Sequence, residues 1–208
     1  MPRPRSLTQD DLAAAALAVI DRDGLAALSM RAVAVRLGMG TMSLYRYVAD
    51  REQLEGLVVE LVLSGVDVRP PHGSWTRQLT ALVERVRAAV RAHPEVVPLT
   101  LTHRHTSLAV LRWSEAVLAV LAGAGFTGRH RVVALRALLG YVIGSIQMEH
   151  LGPLSGAGTA RMAELPREEF PLLAETAVEG RRVPVAEEFG EGLAVMLAGL
   201  RALARGAE

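Results

Sequence analysis

Cysteine, lysine and asparagine are all absent from this chain of 208 residues. Without cysteine there is no disulfide, no thiolate metal site and no cysteine nucleophile, which suits a reducing cytoplasm. All 23 basic residues are therefore arginine, as expected where a GC-rich genome avoids codons beginning AA, so arginine abundance alone says little about partners. Aromatic residues make up only 4% of the chain. No segment shows the alternation of a β-strand, and a core short of aromatics must be built from Leu, Val and Ala at helical spacing, which predicts an all-α fold. The opening MPRPRS has no apolar core for a signal peptide, and the longest run free of Asp, Glu, Arg and Lys is Ala116 to Gly128. That is short of the roughly 18 to 20 residues of a membrane span, so a soluble cytoplasmic protein with no membrane partner is expected. Charge of either sign is also scarce in net terms: the whole chain carries +1, and residues 1–65 hold seven arginines against eight acids. No bulk electrostatic field announces a polyanion partner, and placement has to decide instead.

Half of the chain is hydrophobic, and its periodicity divides it into helices. Thr8 is placed to cap a helix through Arg22, with Asp10 and Asp11 in its first turn and a stripe of Leu12, Ala16, Val19 and Ile20. Asp50 caps a helix carrying Leu54, Leu57, Val58, Leu61 and Val62 to Ser64-Gly65, and Arg69-Pro70-Pro71-His72-Gly73 interrupts the pattern. Ser74 opens the next helix, stopped by His93-Pro94. Pro98 confines the next segment to a turn or two, and Leu99 to His105 reads as irregular. A helix resumes from Thr106 to Gly123. The stretch from Thr127 to His150 is apolar nearly all round, which predicts burial on several sides. Leu151 to Leu165, rich in Gly, Ser, Ala and Pro, reads as a mobile loop. A short helix follows Pro166 or Pro171, and a last one runs from Val185 to Ala204.

One stretch, LAALSMRAVAVRLGMGTMSLYRYV from Leu25 to Val48, specifies a mechanism as well as a fold. Ser29 is an N-cap with Leu28 as a hydrophobic staple, and Ala32, Val33 and Leu37 share one face of a short helix. Gly38 comes next, where the chain must turn through a left-handed conformation. A second helix from Thr41 to Val48 buries Leu44 and Val48 and leaves Thr41, Met42, Ser43, Tyr45, Arg46 and Tyr47 outside. Hydroxyls and an arginine suit phosphates and base edges, and Met42 suits a thymine methyl. Two short helices joined by glycine also occur in proteins that touch no DNA. The Tyr45-Arg46-Tyr47 run favours a DNA-reading helix-turn-helix, around which Arg3, Arg5, Arg31, Arg36, Arg46 and Arg51 gather.

Through LTQDDLAAAALAVIDRDGLAALSMRAVAVRLGMGTMSLYRYVADREQL, and above all its GMGTMSLYRYV block, the sequence resembles the tetracycline-repressor family of bacterial transcriptional regulators. GSW at 73–75, AHPEV at 92–96, GAGF at 123–126 and EEFGEGLAVMLAGLRAL at 187–203 extend the likeness over nearly the whole chain. The resemblance implies a helix-turn-helix domain over 1–50 and a ligand-binding and dimerisation domain over 51–208, with 51–65 as the connecting helix. It implies DNA contacts at Arg31, Thr41, Met42, Ser43, Tyr45 and Arg46, and a phosphate contact at Arg51. A homodimer would form through the Thr127–His150 and C-terminal helices; Leu139, Phe189, Leu193, Met196, Leu197 and Leu200 are the interface candidates. The function implied is a ligand-responsive, non-enzymatic repressor that binds a palindromic double-stranded operator, with an activator or a ligand-free regulator as runner-up.

Tetracycline repressors hold their drug with magnesium, partly through a histidine where this chain has Thr100. Arg104 matches a drug-contacting arginine, His105 replaces a proline, Tyr141 replaces another polar aromatic, and Glu149 matches an acid near the metal. Thr100 argues against a magnesium–tetracycline complex and for an apolar or aromatic effector bound without a metal or other cofactor. Trp113, Tyr141, Gln147 and Met148 are candidates to line its pocket, Trp113 reading more readily as core than as pocket, with His103, Arg104 and His105 as polar lining or a solvated loop. The rival reading is a helical enzyme or metal protein that uses His103, His105 and Glu149 beside a vestigial head, although this spacing matches no strong zinc motif.

Overall fold

The computed structural model describes residues 7–205, so Arg3 and Arg5 lie outside it. Every regular element among these residues is helical, in the order α1 (Gln9–Asp23), α2 (Met30–Arg36), α3 (Thr41–Leu44), α4 (Arg51–Leu63), α5 (Trp75–Arg91), α6 (Val97–Thr102), α7 (Leu108–Gly123), α8 (Gly128–Leu151), α9 (Ala157–Ala163), α10 (Pro171–Gly180) and α11 (Val185–Arg205). Two compact units result. One takes the chain up to Arg69 together with Glu84–Ala116, and the other takes Pro70–Val83 together with Val117 onward.

In the first unit the caps do what their residue types predict. Thr8 and Asp11 exchange side-chain-to-backbone bonds in a full capping box at the start of α1. Asp50 accepts from the Gln53 N–H while Gln53 Oε1 accepts from the Ala49 N–H, so α4 begins equally firmly. α1 packs along α4 and against α2, and α2 against α3. Leu12, Ile20, Leu44 and Leu54 are completely buried between them. Each such side chain contributes about 1.5–3 kcal/mol by leaving water.

Four sequence expectations are corrected. Leu99–Thr102 is helical, because Pro98 sits at the second position of α6, where its missing N–H costs nothing; only His103–Ser107 is irregular. The regular part of the second motif helix ends at Leu44, and Tyr45–Tyr47 continue as a tighter turn. A segment this short, entered at Gly40 without a side-chain cap, holds few α-type bonds. The 151–165 segment contains α9, tied down by buried Thr159, whose hydroxyl donates to the Pro153 carbonyl at 3.4 Å. Finally, α8 buries a single stripe, Ala134, Leu138, Val142 and Ile146, rather than several faces.

The second unit places Trp75 edge-on to Phe126, with ring centroids 5.6 Å apart. α9 packs on α10 and α8 on α11. By length and composition alone α8 is apolar enough to cross a membrane. Its unburied side carries Val132, Val133, Gly140 and Met148.

Candidate nucleic-acid interface

The motif helices are held in place by a complete glycine turn. Gly38 has φ +67°, its N–H donates to the Val35 carbonyl, and the Met39 N–H reaches back to Ala34 at 3.0 Å, the two bonds of a Schellman ending. Ser29 Oγ accepts from the Ala32 N–H at 3.1 Å at the other end of α2. Leu44 and Val48 then anchor α3 and the turn after it from below. This geometry turns Met42, 81% exposed, together with Tyr45, Arg46 and Tyr47, to solvent, with Thr41 and Ser43 half-buried beside them. Arg31 is exposed on α2, and among the described residues neither it nor Arg46 has an ion pair or side-chain hydrogen bond. Two cations, two phenols and an apolar tip thus share one open surface, the chemistry that phosphates and base edges require.

Arg51 differs from Arg31 and Arg46 in being held by partners. Its Nε lies 2.7 Å from Glu55 Oε1, and its Nη2 donates to the Leu25 carbonyl at 3.3 Å. Glu55 Oε2 faces His103 Nε2 at 3.4 Å, and Glu60 accepts from the Ser107 hydroxyl at 2.7 Å and the Ala109 N–H at 3.0 Å. Sequence spacing makes the Arg51–Glu55 pair visible, four apart on a helix. The links from α4 to residues 103–109 had no sequence signal. They border an open groove of about 600 Å³ lined by Gly56, Leu57, Glu60, His103, Ser107 and Leu108. A second clamp ties His93 Nδ1 to Asp21 Oδ2 at 2.9 Å. At the end of α1, Asp23 is held below its ordinary carboxylate value by its hydrogen bonds to Arg22.

The effector candidates fall in both units. In the first, His103 and Trp113 are buried, Thr100 is half-buried with its hydroxyl donating to the Val97 carbonyl, and Arg104 and His105 are exposed. Arg104 donates to the Leu101 carbonyl at 2.8 Å. In the second, Gln147 and Glu149 are half-buried and Met148 is exposed. Tyr141 donates its hydroxyl to the Phe189 carbonyl. Among the described residues no three His, Asp or Glu side chains come together to hold a metal, so His103, His105 and Glu149 do not form such a group.

Of the interface candidates, Phe189, Leu193, Leu197 and Leu200 are buried within a single chain, while Leu139 and Met196 are half-buried. The face that α11 leaves open carries Ala194, Val195, Ala198 and Ala202, with the exposed charges of Glu187, Glu191 and Arg201 on or beside it. The pattern of large residues readable in the sequence marks the inner side of α11; the outer side mixes small residues with charged ones.

Comparison with known proteins yields two family matches. Residues 12–54 match the bacterial regulatory proteins of the tetR family, and residues 69–204 match the tetracyclin repressor-like C-terminal domain. The HTH-type transcriptional repressor DrrR1 of Streptomyces coeruleorubidus is 31% identical over 221 residues, covering 97% of this chain and 80% of that protein. Apo ActR from Streptomyces coelicolor superposes with a TM-score of 0.83 at 27% identity, covering 99% of this chain and 100% of the other. ActR in complex with actinorhodin gives a TM-score of 0.80 at 28% identity, covering 96% and 99%.

Proposed function

This chain belongs to the tetR family of bacterial regulatory proteins, and from that premise we propose that it is a ligand-responsive transcriptional repressor acting in the cytoplasm as a homodimer on a palindromic operator. The observation that carries this reading is the exposed Met42, Tyr45, Arg46 and Tyr47 face, fixed on buried Leu44 and Val48 and left with unpaired arginine. Each head, residues 1–50, sets α3 in the major groove, with Arg31, Thr41, Ser43 and Arg51 on backbone or base edges. Two heads related by a two-fold axis match half-sites about 34 to 36 Å apart.

Residues 51–208 bind the effector and pair the two copies. Apolar α8 and the open face of α11 are the surfaces a second copy covers, which accounts for a helix too apolar for its burial in one chain. The effector is a mainly apolar or aromatic molecule, in keeping with the ActR complex with actinorhodin. Trp113, Tyr141, Gln147, Met148, Thr100, His103, Arg104, His105 and Glu149 are the residues proposed to meet it. It releases DNA by as much as it prefers the head spacing that does not fit the operator.

The test begins with duplexes selected by the protein from a random pool. Tyr45→Ala and Arg46→Ala should each cost about 1–3 kcal/mol in operator binding, Arg46→Ala relaxing preference at one position if it reads a base. Uniform weakening over all sequences would assign Arg46 to phosphate. A double variant that bound the selected duplex as well as wild type would end the proposal.

A further inference from the structure

All the sulfur in this chain is thioether, since seven methionines stand against no cysteine. The fold shields these methionines very unequally. Met30 is 8% exposed within the first unit, whereas Met42 is 81% exposed, the most of any methionine among the described residues. Met148 and Met162 follow at 62% and 38%, both in the second unit. Met42 stands between Thr41 and Ser43 on α3, on the open face that carries Tyr45, Arg46 and Tyr47. The fold does not lean on it, because buried Leu44 and Val48 hold this segment from below.

A thioether in open solvent offers its sulfur lone pairs to two-electron oxidants, and no thiol in the chain competes for them. A sulfur lone pair attacks one oxygen of a peroxide, the O–O bond breaks, a sulfur–oxygen bond forms and the other oxygen leaves as water. Sulfur is oxidised by two electrons and the peroxide is reduced by two. A flexible apolar tip thereby becomes a polar sulfoxide whose new oxygen only accepts hydrogen bonds. On α3 the exchange is costly for DNA binding. Phosphate oxygens, thymine O4, and guanine O6 and N7 are acceptors too, so a sulfoxide pressed against them finds no donor and loses the contact with a methyl group.

We propose that Met42 is a site of reversible oxidation by peroxides and that its sulfoxide weakens the hold of the protein on its operator. A methionine sulfoxide reductase with a dithiol returns the thioether, the oxygen leaving as water and the dithiol becoming a disulfide. The inference rests on the reading of the α3 face as the DNA contact.

Hydrogen peroxide treatment tests it, with each sulfoxide located by peptide mass spectrometry and affinity for a selected duplex read by fluorescence anisotropy. Wild type carrying the Met42 sulfoxide should bind about tenfold more weakly at an unchanged melting temperature, and the reductase with dithiothreitol should restore binding. Met42→Leu, whatever affinity it starts from, should keep that affinity through the treatment. Met148→Leu combined with Met162→Leu should lose affinity as wild type does. A duplex bound beforehand should slow oxidation of Met42 relative to Met162. Complete oxidation of Met42 without change in affinity, or a Met42→Leu protein that lost affinity as wild type does, would overturn the inference and leave the α3 reading standing. A selected duplex that left Met42 as reactive as in the free protein would remove its contact with DNA, and the inference with it.

Discussion

Tyr141 of α8 donates its hydroxyl to the Phe189 carbonyl of α11 at 2.5 Å, and the ring lies directly over Gly192, one turn further along α11. A Cβ on Gly192 would meet Tyr141 Oη at 2.5 Å and its ring carbons at 3.1 Å and 3.2 Å, so the tyrosine would have to move. Gly192→Ala should therefore destabilise the protein by about 1–3 kcal/mol, the usual range for overpacking. Gly190 provides the control on the same helix, since its Cβ would meet nothing within 4 Å. Gly190→Ala should be neutral or gain up to about 1 kcal/mol from helix propensity. Thermal melting of the pair gives the comparison, and equal effects would contradict the close approach of the two helices.

Two sides of α11 should respond oppositely to charge. Val195 is 75% exposed, so Val195→Arg places a cation where a second copy is proposed to sit and should yield folded monomers with weakened operator binding. Leu197 is buried within the chain, and Leu197→Arg should instead unfold it, an unpaired buried charge costing several kcal/mol. Sedimentation and circular dichroism separate the two outcomes. A Val195→Arg dimer indistinguishable from wild type would remove α11 from the interface.

How far the sequence was legible depends on where each signal resides. Ser29, Gly38, Thr8 and Asp50 act on neighbours within three or four residues, and their caps and turns form as their side-chain chemistry dictates. Leu44 and Val48 were readable for the same reason, and with them the exposed face of the motif. The inner and outer sides of α11 were not, because apolar periodicity identifies a buried stripe without saying which neighbour buries it. Leu193 and Leu197 go inward, and Val195 with three alanines remains outside. Arg51 was legible as a cation at a helix start, whereas its tether through Glu55 to His103 joins residues 48 apart and exists only once α4 and the 103–107 segment meet. The 151–165 segment misled for another reason: Gly and Pro content marks a loop, yet the Gly156 N–H closes a turn on the Pro153 carbonyl and Thr159 ties the following α9 back to it.

Between α4 and α5, Asp67 accepts from both the backbone N–H and the Nε of Arg69 at 3.0 Å, and these bonds, with the nearby Arg85 guanidinium, hold its carboxyl below the ordinary value. A folded-state value lower than the unfolded one means stability that is fully present above the unfolded value and is lost as pH falls through the folded value. Asp67→Asn should therefore melt somewhat lower than wild type at neutral pH, and the gap should close on titration to about pH 3. Since Asp67 is exposed, the effect is small and screened by salt. A gap that widened in acid would show that the side chain acts by something other than its charge.

The effector should act without magnesium. Thr100 has its hydroxyl bonded to the Val97 carbonyl, and no cluster of three His, Asp or Glu side chains forms among the described residues, so the affinity is expected to come from apolar walls with a few polar groups that set orientation. Actinorhodin, the molecule held in one ActR complex, is the first compound to try, with a tetracycline as comparison. Release of the protein from a selected duplex by an aromatic compound should be the same with magnesium present or with a chelator in its place. Trp113→Ala should weaken that release while leaving the affinity for DNA alone within a factor of a few, provided its melting temperature shows the fold intact. Release by tetracycline that required magnesium would overturn the expectation and turn attention to Glu149 and His105 as ligands recruited when the drug binds.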